Sequence, residues 1–135
     1  MNGLLADVNI QGQVDRLVAR MKSGPWKLFW DDLQLPYLRF SDVGLAFDSP
    51  DSLVWQTCQQ QQLVLITDNR NRDAPDSLES TIRNENAANS LPILTIGKVR
   101  RLRQDPDYAG QVIEGLLDIL LRIDSFRGTG RIYLP

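Results

Sequence analysis

Two acids close apolar runs in this chain. Leu4-Leu5-Ala6-Asp7-Val8 breaks on one carboxylate, and Leu63-Val64-Leu65-Ile66-Thr67 runs directly into Asp68. Asp42 follows the strand-like stretch Pro36 to Ser41, Asp51 opens a helix after Ser49-Pro50, and Asp73 and Asp76 come shortly after Asp68. Carboxylates that meet from separate parts of a chain supply the oxygen ligands preferred by hard cations such as Mg²⁺ or Mn²⁺. Without a metal, such a cluster repels itself and raises some of its pKa values. Asp51 and Asp76 have a simpler explanation as well, since acids in a first helical turn are favoured by the helix dipole. Asp7 and Asp68 interrupt the ends of buried runs and are the stronger candidates.

Other polar groups accompany them. The loop Asn69-Arg70-Asn71-Arg72-Asp73 carries donors suited to a backbone phosphate, and it also fits an ordinary polar turn. Lys98-Val99-Arg100-Arg101-Leu102-Arg103 is a basic cluster that suits either a solvated helix turn or RNA contact. Trp26, Phe29 and Trp30 are open to base stacking or a homodimer contact, with core packing favoured. Cys58, beside Trp55, reads as a core residue.

Composition removes several chemistries. The 135 residues include no His, which excludes a Ser-His-Asp triad and any His-ligated zinc centre. A single cysteine allows no internal disulfide and no Cys-rich metal site. The 17 acids are 14 Asp and three Glu, and the 15 bases are 12 Arg and three Lys. That skew is compatible with rigid oxygen ligands and phosphate-gripping forks. No apolar run reaches the length of a membrane span, and no basic stretch leads into a hydrophobic one near residue 1. A cytoplasmic location without a membrane partner is expected.

The elements that must position these groups alternate. An apolar strand at 4–8 precedes a helix carrying Ile10, Val14, Leu17, Val18 and Met21, which Ser23-Gly24-Pro25 stops. Residues 26–35 show no clean period and 36–41 reads as a second strand. Helices are expected from Pro50 to about Gln62, from Pro75 to about Asn86, and from Pro106, with Ser49, Asp73 and Asp105 as the capping side. Strands at 63–67, 91–97 and 131–134 complete the pattern. The fold class is α/β: a three-layer α/β/α sandwich with a mostly parallel central sheet, in one domain spanning 1–135.

Leu4-Leu5-Ala6-Asp7-Val8-Asn9-Ile10 resembles the "hydrophobic strand, Asp, any residue, Asn" opening of PIN-like nuclease domains, in particular a compact bacterial subgroup associated with toxin–antitoxin systems. Ser41-Asp42-Val43-Gly44-Leu45 with Ser49-Pro50-Asp51, and Leu63 to Asn69, are similar to its later segments. The resemblance implies Mg²⁺- or Mn²⁺-dependent hydrolysis of RNA phosphodiesters, with Asp7, Asp51 and Asp68 as catalytic metal ligands. It also implies Asn9, Asn69, Arg70 and Arg72 on the substrate, and an antitoxin or other protein as partner. Thr67 and Asp68 are adjacent where that family sets one residue between them, which makes Asn69 a second candidate for the ligand position. Two alternatives stand beside it. One is a catalytically inactive PIN-like module that binds RNA or a protein. The other is an unrelated flavodoxin-like or receiver-like domain, whose strand-end acids would be joined by a Lys on a late strand.

Overall fold

Apolar, largely β-branched or leucine-rich segments form the strands β1 (Gly3–Ala6), β2 (Tyr37–Leu38), β3 (Leu63–Thr67), β4 (Ile93–Ile96) and β5 (Arg131–Leu134) in a computed structural model that describes residues 1–69 and 74–135. All four pairings are parallel, in the order β2-β1-β3-β4-β5. The registers set Leu5 opposite Leu65, Ile66 opposite Leu94 and Leu94 opposite Ile132. Parallel strands need crossovers, and the crossovers here are largely helical: α1 (Gln11–Met21), α2 (Lys27–Leu33), α3 (Asp51–Gln61), α4 (Leu78–Glu85), α5 (Arg101–Gln104) and α6 (Pro106–Leu121).

Side-chain alternation along the strands divides the core in two. Leu4, Ala6, Val64, Ile66, Leu94 and Ile96 point to one face, where Val14, Leu17, Val112, Ile113 and Leu116 of α1 and α6 cover them. Leu5, Leu63, Leu65 and Ile93 point to the other, against Val54, Trp55 and Cys58 of α3 and Leu78 and Ile82 of α4. A sheet covered on both faces is the three-layer α/β/α sandwich that the alternation of elements predicts. Ile66 has no exposed surface, so truncating it to alanine costs about 2–5 kcal/mol.

Local chemistry moves several boundaries. Residues 26–35, which show no clean period, form α2 after a short 3₁₀ turn at Gly24–Trp26. Its Trp30 is buried while Leu28 and Phe29 are exposed, so the apolar residues do not share a face. The expected strand at 36–41 shrinks to two residues, and Phe40–Val43 coils into a 3₁₀ turn. Ser49 does not cap α3. Its hydroxyl accepts from Ala46 N at 3.0 Å, and Pro50 stands at the cap with extended backbone. The helix expected from Pro75 begins at Leu78, because the Ser77 hydroxyl accepts from Ser80 N at 3.1 Å. Asp105 caps α6 as expected, accepting from Tyr108 N at 3.1 Å with Pro106 in the first turn. Gly128 and Gly130 both take left-handed φ, +88° and +84°, to swing the chain into β5. A Cβ at Gly128 would come within 2.8 Å of Ala88 O, so this turn demands glycine.

Candidate active site at the carboxyl edge

Because every strand is parallel, Asp7, Asp68 and Gly97 follow β1, β3 and β4 at one edge of the sheet. The α3 helix ends at Gln61, just before the opposite end of β3, and so brings its first residue, Asp51, back to the same edge. The chain turns from β1 outward to β2 and then crosses back to β3. Asp7 and Asp68 therefore flank the switch point, where ligands bind in open α/β sheets.

Asp7 is held on both oxygens. Its Oδ1 accepts from Asn9 N at 3.3 Å, and its Oδ2 accepts from the Thr67 hydroxyl at 2.7 Å. Burial pushes its carboxyl above the ordinary carboxylate value, the charges of Asp68 and Asp51 push the same way, and the two hydrogen bonds oppose them. Asp51 Oδ2 accepts from Asn69 Nδ2 at 3.0 Å and from Leu78 N at 3.1 Å. The Asn69 backbone N–H donates to Thr67 Oγ1 at 2.9 Å. One hydroxyl and one amide thus link the two carboxylates into a single network.

A small cavity of about 50 Å³ opens between Asp7, Asn9, Ser49 and Asp51, with Phe47 on its wall. That volume accommodates one or two waters or a compact ion. Phe47 is 79% exposed, an aromatic face turned to solvent beside the acids.

The candidates from sequence separate into groups. Asp7, Asp51 and Asp68 come to one edge, and Asn69 joins Asp51 directly. Asn9 is exposed and contributes its backbone N–H to Asp7. Asp42 instead accepts from Arg39 N at 2.8 Å and closes the 3₁₀ turn, and Asp76 is exposed ahead of α4 rather than in its first turn. Arg70, Arg72 and Asp73 lie outside the described residues. Among those that are described, no group of three or more Asp, Glu, Cys or His side chains is arranged to hold a metal ion. Trp30 packs in the core, Trp26 is half-buried and Phe29 is 51% exposed. Cys58 has no exposed surface, and burial, reinforced by the Asp7 charge, pushes its thiol up to about 12; it is a core residue.

Three further residues belong to this edge. Thr67 is a polar end to a fully buried strand, a signal present in the sequence. Arg131 and Glu79 were not legible as partners. From the start of β5, Arg131 donates to Asn69 O at 2.7 Å, to Thr95 Oγ1 at 2.6 Å, and to Glu79 Oε2 at 2.9 Å. Its side chain is only 6% exposed. A buried cation so fully engaged fixes the backbone at Asn69 and, through it, the amide on Asp51.

Comparison with protein-family models, with curated proteins and with solved structures finds no match. No helix among the described residues is long and apolar enough to cross a membrane.

Proposed function

We propose that the chain is a PIN-like ribonuclease that hydrolyses RNA phosphodiesters with Mg²⁺ or Mn²⁺, acting as the toxin of a toxin–antitoxin pair. The observation that carries this is Asp7, a carboxylate held in place by Thr67 with its pKa raised by burial and by two neighbouring carboxylates. A cation would relieve that repulsion, and the donors are of the all-oxygen kind that Mg²⁺ and Mn²⁺ take. No three-acid cage forms among the described residues, so substrate phosphates and water would have to complete the ligand set.

Asp7 and Asp68 would hold the ion, and Asp51 would complete the shell or orient the attacking water. The ion supplies an acidified water and neutralises phosphate charge. The chain supplies the rest. Thr67 fixes the Asp7 rotamer, Asn69 and Leu78 fix Asp51, and Phe47 offers a face for a base.

One observation favours a second reading, the catalytically inactive module that binds RNA or a protein. Asn69 presents an amide to Asp51 where a further carboxylate would strengthen the shell. The strand order 2-1-3-4-5 is also that of flavodoxin-like sheets. A receiver-like site, however, wants a late-strand Lys; β5 carries Arg131 instead, and Lys98 is exposed after β4.

The test is a labelled single-stranded RNA incubated with Mn²⁺. Cleavage that disappears in Asp7→Asn supports the nuclease. Salt-sensitive retention on a filter without cleavage supports the binding module, and the absence of both removes nucleic acid from consideration.

A further inference from the structure

Six of the 15 cations line adjoining cavities beside α1 and α5. A cavity of about 550 Å³ opens between α1 and the α5–α6 corner, walled by Arg16, Arg20 and Arg103 over Leu17, Leu102 and Ala109. It shares Gln13, Arg16 and Arg103 with a second cavity of about 240 Å³ that adds Arg100 and Val99. Arg100 and Val99 in turn line a third, of about 320 Å³, together with Lys98 and Arg101. The three form one continuous trough. It runs along α5, the helical turn that follows β4 at the edge where Asp7 also lies.

Charge segregation marks this trough as a site for an anion. The protein has 17 acids and 15 bases, yet among the described residues no Asp or Glu lines any of the three cavities. Arg16, Lys98, Arg100 and Arg103 make no ion pair with any described residue. Arg101 is occupied by Asp105 at 2.8 Å, and Arg20 donates to Pro106 O at 3.3 Å and lies against the Trp26 ring. Four cations side by side that no described acid pairs with repel one another, and a chain of phosphates removes that repulsion. The half-buried floor of Leu102 and Val99 adds apolar surface between the charges. An isolated phosphate has no use for such a floor, whereas unpaired bases do.

We infer that this trough binds the sugar–phosphate backbone of single-stranded RNA, with Arg16, Arg100, Arg103 and Lys98 on successive phosphates and bases laid on the apolar floor. The inference rests on the proposed ribonuclease and names how its substrate is held. The α1 helix contributes Arg16 to the trough and begins four residues after Asp7, so a strand lying there passes close to the carboxylates.

The experiment uses the whole chain and a fluorescein-labelled oligouridylate of about 12 nucleotides, in EDTA, with anisotropy followed across salt concentrations. Four neutralised phosphates give a slope of about −2.8 in log affinity against log salt. The variant R16Q/R103Q should bind about tenfold more weakly, with a slope shallower by about 1.4. R100Q alone should shift both in the same direction by a smaller amount, and R83Q on α4 should match wild type. Arg16, Arg100 and Arg103 are all exposed, so the variants keep the fold, which circular dichroism checks. Wild-type affinity and slope in R16Q/R103Q would overturn the inference. So would binding to phosphatidylserine vesicles in the absence of RNA binding. EDTA separates the two proposals: RNA binding without Mn²⁺ cleavage leaves the trough standing and removes the nuclease, and cleavage with unaltered binding in R16Q/R103Q does the reverse.

Discussion

The Thr67 hydroxyl lies 2.7 Å from Asp7 Oδ2 and ties the end of β3 to the end of β1. This bond lowers the pKa of Asp7, but burial raises it by more, and the net direction is upward. A carboxyl raised on folding binds its proton more tightly folded than unfolded. Stability is therefore full while Asp7 is protonated, falls as pH climbs from the ordinary carboxylate value through the folded pKa, and stays reduced above it. Asp7→Asn should accordingly melt at a higher temperature than wild type at pH 7 in EDTA, and the difference should shrink as pH drops to the ordinary carboxylate value. Melting curves at several pH values check this, and a difference that widens on acidification would contradict it.

A cation at the edge should reverse that penalty. Mn²⁺ that binds only the folded chain stabilises it by about 2.7 kcal/mol at a hundredfold excess over its dissociation constant. Asp7→Asn and Asp68→Asn should each remove most of the resulting rise in melting temperature. An equal rise in wild type and both variants, seen by calorimetry, would refute ligation by these residues.

Asn69→Asp tests the ligand position directly. In EDTA the new charge faces Asp51 where an amide now donates, so stability should fall by about 1–3 kcal/mol. With Mn²⁺ the added carboxylate becomes a ligand, and the metal-induced rise in melting temperature should exceed that of wild type. RNA cleavage should quicken in parallel. A smaller rise than wild type would show that residue 69 stands off the metal.

Arg131→Met should cost about 3 kcal/mol in urea unfolding, because it strands Glu79 and Thr95 and releases the backbone at Asn69. Adding Glu79→Gln should recover part of that loss, since the partner left behind would no longer be a charge. A double variant less stable than the sum of the two single changes would count against the pairing.

What could be read from sequence is local. Apolar runs such as Leu63 to Ile66 give buried parallel strands because both of their faces are covered, and Pro106 after Asp105 gives a helix start because cap and turn are adjacent residues. Asp7 and Asp68 stand out because an acid at the end of such a run is costly without a purpose. Trp26 to Leu35 hides its helix, since Leu28 and Phe29 are exposed apolar residues that spoil the period. Ser49 misleads because a hydroxyl before proline has two backbone partners within reach, and here it takes Ala46. Arg131 is invisible for a different reason: its partner Glu79 lies 52 residues away and no local pattern joins them.

The reach of Arg131 to Asn69 also orders events during synthesis. The two residues are separated by 62 positions, and β5 is made after the other four described strands. At roughly 5–20 residues per second, the ribosome needs about 3–12 s after Asn69 to deliver its anchor. Throughout that interval β1, β3 and α3 can pair without the clamp that holds Asn69 against Asp51. A nascent chain is thereby kept from a finished acidic edge until its fifth strand has docked.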